Sequence, residues 1–123
     1  MDLIRSLLEN IAEDPRLTGA VTLQPQIGEY GISAENYEAV VFHLDLMLRA
    51  ALIEGFETAR MPMIRSLTWQ GYDFLDSVRS PEVWQKTKDA AKKVGGVGFD
   101  ILIEIAKAYG KQLAQEKLGI HLG

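Results

Sequence analysis

Residues 43–53 read HLDLMLRAALI and join the end of an amphipathic helix to the start of an extended segment. Upstream, Ser33 is placed to cap this helix, and Glu35 lies in the first turn, where a carboxylate suits the helix dipole. The sequence predicts a helix over 33–52 whose apolar side chains face a core. That apolar stripe consists of Tyr37, Val40, Val41, Leu44, Met47, Leu48 and Ala51.

A β-hairpin is predicted directly after this helix. Residues 52–57 and 63–67 are extended in character, and residues 58–62 form the connecting loop, with Pro62 unable to donate in a sheet. Thr68 then predicts the cap of a helix that continues to Val78. We interpret Gly71 as a position of close helix packing.

Helices are also predicted at both ends of the chain. The first has apolar residues at helical spacing and stops before Asp14-Pro15. Residues 20–23 indicate a short strand, followed by an irregular loop. Pro81 suits the start of a further helix, residues 95–98 (GGVG) break it, and Asp100 favours the start of a last helix.

The order of these elements resembles a winged-helix domain. Residues 43–53 are similar to the end of its recognition helix, where many winged-helix regulators have the pattern HL..L…GLI. Residues 64–75 (IRSLTWQGYDFL) resemble the second wing strand and next helix, with the pattern LT..G..FL. The predicted fold is mainly α with a small β-hairpin: a winged-helix (winged helix-turn-helix-like) domain over 1–80 and a C-terminal helical extension over 81–123.

Over its whole length the chain resembles a bacterial and phage family, domain of unknown function 2513. The likeness is carried by residues 1–5 (MDLIR), 67–76 (LTWQGYDFLD), 84–88 (WQKTK) and 93–96 (KVGG). Two features depart from the expected pattern: Ala51 stands where such proteins usually have Gly, and the first helix of a helix-turn-helix is not evident before Ser33. The resemblance implies a fold and little about function, since fold does not determine function.

Charge is unevenly distributed along the 123 residues. Residues 1–80 hold six Arg and 12 acidic residues, and residues 81–123 hold seven Lys and five acidic residues, so a net charge of −4 divides into −6 and +2. Such a shift indicates two structural parts joined near Ser80-Pro81. It also disfavours a protein that coats nucleic acid by bulk charge, which should be basic.

The first functional hypothesis is a small bacterial or phage-type transcriptional regulator that binds double-stranded DNA, without enzymatic activity. The predicted reading helix would enter the major groove, and the wing arginines would meet phosphates or the minor groove. Glu35, Glu38 and Asp45 on the same helix oppose this, because affinity comes largely from phosphate neutralisation. The predicted nucleic-acid-binding residues are Asn36, His43, Arg49, Arg60 and Arg65.

The alternative hypothesis is a protein-interaction module on the same scaffold. Residues 61–63 (MPM) place apolar side chains at the expected hairpin tip, and Met-rich surfaces adapt to partner proteins. The last helix has an apolar face that a second copy of the chain (a homodimer) or a partner protein would cover. Alternatively, this face packs against the rest of the chain, or the helix lies on a membrane surface. The predicted interface residues are Trp84, Phe99, Leu102, Ile103, Tyr109 and Leu113.

Signals for an enzyme are weak. The chain has no Cys, and His43 and His121 have no partner at metal-ligand spacing, so neither a metal nor a cofactor is predicted. Asp73 and Asp76 share a helix face without a third catalytic group. No signal peptide or membrane-spanning segment is evident, and a cytoplasmic location is expected.

Overall fold

The computed structural model describes residues 2–93 and 99–118, apart from the side chains at 99, 100, 114 and 116–118. This part of the chain is mainly helical, with one small antiparallel sheet, which confirms the predicted fold class. The elements are α1 (Asp2–Glu13), α2 (Tyr37–Arg49), β1 (Ile53–Phe56), β2 (Met63–Leu67), α3 (Trp69–Val78), α4 (Pro81–Lys93) and α5 (Phe99–Leu118).

The chain divides into two compact units, residues 1–72 and 73–123, and the division falls within α3. In the first unit, α1 packs against α2 and β2, and α2 packs against β1. Most buried residues of this unit come from the predicted apolar stripes and the hairpin strands, and four come from loops. The first set is Ile4, Leu7, Leu8, Ile11, Val40, Leu44, Met47, Leu52, Ile53, Ile64 and Leu67, and the loop residues are Pro25, Ile32, Met61 and Pro62.

The sheet has the strand arrangement expected of a wing. β1 and β2 are antiparallel, with Ile53 opposite Leu67 and a bulge at Glu54/Gly55. The short strand predicted at 20–23 is reduced to one bridge, in which Leu23 and Ile64 exchange two backbone hydrogen bonds of 2.7 and 2.8 Å. β2 thus lies between Leu23 and β1, an order consistent with a winged-helix arrangement.

Helix α2 is shorter than the predicted helix over 33–52. The Asn36 side chain accepts the Ser33 N–H at 2.7 Å and donates to the Gly31 carbonyl at 3.0 Å, which fixes a turn ahead of the helix. The helix therefore begins at Tyr37. Its other end is a Schellman motif, in which the Leu52 N–H donates to the Met47 carbonyl and the Ala51 N–H to the Leu48 carbonyl.

Ala51 occupies the left-handed position of this motif, with φ +59°. Glycine is preferred there because a Cβ crowds the backbone in this conformation. The departure from the family pattern noted at Ala51 thus falls where glycine has a physical advantage.

The α3 N-terminus is tied back to this motif by Thr68. Its hydroxyl lies 2.5 Å from the Ala51 carbonyl oxygen and accepts the Gly71 N–H at 2.9 Å, which confirms the predicted cap. A Cβ on Gly71 would lie 2.0 Å from the Leu52 carbonyl oxygen, so the predicted close approach at Gly71 is also confirmed. These contacts fix the first turn of α3 against the end of α2.

Residues 14–36 contain no helix, and their β structure is limited to the Leu23 bridge. Hydrogen bonds to the Asp14 carboxylate connect residues within this segment. The side chain of Asp14 is 5% exposed and accepts hydrogen bonds from Nε and a terminal nitrogen of Arg16, at 3.0 and 2.8 Å. The Tyr30 hydroxyl donates to the same carboxylate at 2.6 Å. The first helix of a helix-turn-helix is replaced here by turns anchored on Asp14.

In the second unit, α4 packs against α5. The buried residues of these two helices are Val83, Trp84, Thr87, Ala91, Leu102, Ile103 and Ala106. The predicted break at 95–98 lies outside the described residues.

Candidate functional site

The outward face of α2 carries an aromatic side chain among carboxylates. With Val40, Leu44 and Met47 buried, Glu38 and Phe42 point to solvent, and Phe42 is 61% exposed. A helix that reads DNA presents hydrogen-bonding and cationic side chains at such positions. This face of α2 instead carries Glu38, Phe42 and Asp45, with the cationic Arg49 one turn beyond Asp45.

Three of the predicted nucleic-acid-binding residues on or beside α2 already have partners. The Asn36 amide is used in the turn before the helix. His43 is half-buried, and its Nδ1 lies 2.7 Å from the Ala39 carbonyl oxygen. The Nε of Arg49 lies 3.2 Å from Oε1 of Glu57, in an exposed ion pair. Any contact of these residues with DNA would have to share or replace the bonds described.

The two hairpin arginines are more available. Arg60 and Arg65 are exposed, and neither guanidinium forms an ion pair with the residues that the structure describes. Arg65 lines an open groove of about 640 Å³ together with Arg49, Glu54 and Glu57. Two guanidinium and two carboxylate groups thus share this groove, so it has no excess of positive charge.

Asp45 adds a half-buried carboxyl group to α2. Burial raises the pKa of Asp45 above its usual value, the charge of Glu57 adds to the rise, and Arg49 opposes it. Its Oδ1 is buried without a hydrogen-bond partner among the residues described. A nearby polyanion would raise this pKa further, because it would add negative charge around the carboxylate.

The prediction that residues 61–63 expose apolar side chains at the hairpin tip is wrong. Met61 and Pro62 are buried and Met63 is half-buried. The Met61 carbonyl accepts hydrogen bonds from the Gln24 side chain at 2.7 Å and from the Thr58 hydroxyl at 2.9 Å, which folds the tip inward. The three residues therefore belong to the packing of the first unit.

The predicted interface residues lie at different depths in the second unit. Trp84, Leu102 and Ile103 are buried by the chain itself. Tyr109 and Leu113 are half-buried, with Lys86 Nζ 5.9 Å from the centre of the Tyr109 ring, and the Phe99 side chain lies outside the described residues. At the five described positions, most of the apolar surface is covered by the chain itself.

Exposed aromatic residues of the first unit form a group that the sequence interpretation did not single out as a site. Trp69 is 88% exposed on α3, Phe56 is 54% exposed on β1, and Phe42 lies on α2. The helical period does place Phe42 off the apolar stripe of α2, which is a usable signal. Trp69 follows the cap of α3, and its exposure excludes a place in the core.

Among residues 2–93 and 99–118, no cluster of three or more His, Cys, Asp or Glu side chains is arranged to hold a metal ion. Within the same residues, no helix has both the length and the apolar character needed to cross a membrane.

Fold and surface define a class: a mainly helical protein with a winged-helix-like first unit and an acidic, aromatic exposed surface. The family of hypothetical proteins DUF2513 matches residues 1–98, and the chain belongs to this family, as the resemblance predicted. An uncharacterized protein of Haemophilus influenzae is 32% identical over 117 residues, 91% of this chain and 94% of that protein. No solved structure matches the chain.

Proposed function

We propose that this protein is a non-enzymatic interaction module that binds a partner protein through the exposed parts of α2 and the hairpin. The observation that carries the proposal is the exposure of Phe42 and Phe56 on the two elements that a winged-helix protein uses for recognition. Exposed aromatic side chains supply large contact areas and are enriched at protein interfaces. The partner would bury both rings.

The charges around these rings support the same function. Five carboxylates lie on α2, the turn before it and the hairpin, against three arginines, of which Arg49 is ion-paired. Binding to a DNA backbone depends on releasing counterions with an excess of cationic side chains. A partner with a basic surface is the better electrostatic match. The carboxylates are Glu35, Glu38, Asp45, Glu54 and Glu57.

Affinity purification from the native host, with three forms of the full chain as bait, tests this function. The forms are the wild type, the double variant Phe42→Ser/Phe56→Ser, and the control variant Ile101→Ser. Ile101 is also exposed, but it belongs to α5 in the second unit and not to α2 or the hairpin. We expect one set of proteins to be recovered with the wild type and the control and lost with the double variant.

Each candidate partner is then purified and titrated against the three forms. We expect the double variant to bind at least tenfold more weakly, because removing two buried aromatic anchors typically costs more than ~1.4 kcal/mol. Equal recovery and equal affinity with the double variant would refute the proposed function.

DNA binding by a transcriptional regulator is the second candidate, favoured by Arg60 and Arg65, which are exposed and form no ion pair within residues 2–93 and 99–118. Fluorescence anisotropy with a labelled random duplex at low salt tests it, because counterion release is most favourable there. Binding that weakens as salt rises and is lost in Arg60→Ala/Arg65→Ala would replace the interaction module with the DNA-binding function. Absence of binding at protein concentrations of about 100 μM would exclude DNA binding, since non-specific dissociation constants lie near 10⁻⁴–10⁻⁶ M.

A further inference from the structure

A second surface of the first unit has a defined chemical character. An open groove of about 470 Å³ lies where β1 and the β2–α3 junction meet. Trp69 and Tyr72 supply two aromatic rings to this groove, and Glu54 is the only charged side chain among the described residues that line it. The remaining lining residues are Ala51, Leu67, Thr68 and Gln70.

The two rings are held by the contacts that start α3. Trp69 and Tyr72 are three residues apart on one helix, and side chains at that spacing are neighbours on the helix surface. The Thr68 cap and the close approach at Gly71 fix this turn against the end of α2. Trp69 is 88% exposed and Tyr72 45% exposed, so both rings stay open to a ligand although the backbone beneath them is tightly packed.

Glu54 gives the groove a net negative charge. It is exposed on β1 and forms no ion pair with the residues that the structure describes. The positive end of α3 also lies at this groove, but a helix terminus is equivalent to about half an elementary charge and its effect is screened by solvent. Arg49 and Arg65 share the neighbouring groove with Glu54 but do not line this one, so the carboxylate charge dominates here and the groove attracts cations.

Aromatic rings beside a carboxylate favour one kind of side chain. A guanidinium or ammonium group binds over the face of Trp or Tyr by cation–π attraction, with Trp the best of the aromatic residues. A guanidinium also stacks on a ring while it donates hydrogen bonds to a carboxylate, which an ammonium does less well. Nucleotides are a poor match, because their phosphates would face Glu54.

We propose that this groove, the Trp69–Glu54 groove, binds an arginine side chain displayed by a partner protein. The proposal rests on the proposed function, since it names the chemistry of the partner that the first unit recognises. Charge complementarity is the reason for the choice of arginine over an apolar or acidic segment. Phe42 and Phe56 lie outside the lining of this groove and provide separate contacts.

The test is an NMR titration of the ¹⁵N-labelled full chain with N-acetyl-arginine methylamide. A single cationic side chain at an exposed site binds weakly, so we expect a dissociation constant in the millimolar range. The indole N–H resonance of Trp69 should shift, with those of Glu54 and Gln70. N-acetyl-citrulline methylamide has nearly the same shape without the charge and should bind at least fivefold more weakly.

Three variants identify the groups responsible. Trp69→Ala should abolish the shifts at the groove, and Glu54→Gln should weaken binding about threefold or more. Ile101→Ala removes part of an exposed apolar side chain on α5, outside the groove lining, and should leave the affinity unchanged. All three positions are exposed, so the variants should retain the wild-type spectrum elsewhere.

Other outcomes would overturn the assignment. Equal shifts with the citrulline probe would show that charge is not recognised, and shifts unaffected by Trp69→Ala would place the probe elsewhere on the acidic surface. Stronger shifts with adenosine monophosphate would identify a nucleobase site. A dimer in sedimentation equilibrium that Trp69→Ala dissociates would place a second copy of the chain in the groove.

The two proposals fail separately. Partner capture that depends on Phe42 and Phe56, together with no arginine binding, would refute the groove alone. Arginine binding without any partner that depends on Phe42 and Phe56 would refute the proposed function and leave the groove as a site for cationic side chains.

Discussion

Replacing Ala51 with glycine should stabilise the protein. Ala51 lies in the left-handed region with φ +59°, at the end of α2. A residue with a Cβ costs about 1–2 kcal/mol in this conformation. Glycine avoids that cost but loses about 0.5–1 kcal/mol through its greater freedom in the unfolded chain. The difference predicts that Ala51→Gly raises the free energy of unfolding by about 0.5–1 kcal/mol.

Urea denaturation of the full chain, followed by circular dichroism, measures this change. For a protein of this size, the melting temperature should rise by about 2–5 °C in parallel. Ala39→Gly is the matched control, because Ala39 is exposed on α2 with helical φ and ψ. The control should lower the free energy of unfolding by about 0.5–1 kcal/mol.

Opposite signs for the two substitutions are therefore the expected result. If Ala51→Gly destabilises the protein as much as Ala39→Gly does, Ala51 is not left-handed in solution, and the Schellman motif at the end of α2 is refuted. An unchanged slope of unfolding free energy against urea in both variants is needed to assign the effect to stability.

Three further changes test the contacts that organise the first unit. Thr68→Ala should lower the free energy of unfolding by about 1–2 kcal/mol in urea denaturation, because it removes the α3 cap, while Thr68→Ser should retain most of it. The pKa of Asp14 is held well below its ordinary value of 3.8, first by the hydrogen bonds from Arg16. The stabilisation by ionised Asp14 should therefore be complete above pH 3.8 and be lost as pH falls below 3.8. Tyr30→Phe removes a hydrogen bond to this carboxylate, so it should weaken the pH dependence of the unfolding free energy measured from pH 2 to 6. Burial raises the pKa of Asp45, so protonated Asp45 favours the folded state, and this stabilisation is lost as pH rises above 3.8. Asp45→Asn should raise the free energy of unfolding by about 1 kcal/mol at pH 7 and change it little at pH 3. Equal effects of the substitution at both pH values would contradict the role of the Asp45 charge.

Local chemistry was enough to predict the elements and most of their ends. The apolar period of α2, the cap at Thr68, the proline that starts α4 and the extended segments of the hairpin each depend on a few neighbouring residues. Such effects act within one or two turns of chain and can be deduced without knowing the fold. The predicted start of α2 at residue 33 is too early. The Asn36 side chain forms hydrogen bonds with Gly31 and Ser33, and these stabilise a turn in place of a further helical turn.

The sequence predicted less well which residues form the candidate surface. Met61 and Trp69 are both apolar residues near element ends, and no local pattern says which is buried. The Met61 carbonyl is held by the side chain of Gln24, far away in sequence, whereas Trp69 begins a helix whose next turn is pressed against Leu52. Their exposure is decided by long-range contacts.

Sequence patterns were sufficient to predict most helices and strands, the family and the division of charge into an acidic first part and a slightly basic second part. Which aromatic residues reach solvent, and that Glu54 shares a groove with Trp69 and Tyr72, could be learned only from the packed structure. The difference is one of range, because capping, periodicity and net charge are local or additive along the chain. Burial and the convergence of side chains depend instead on how elements distant in sequence pack together.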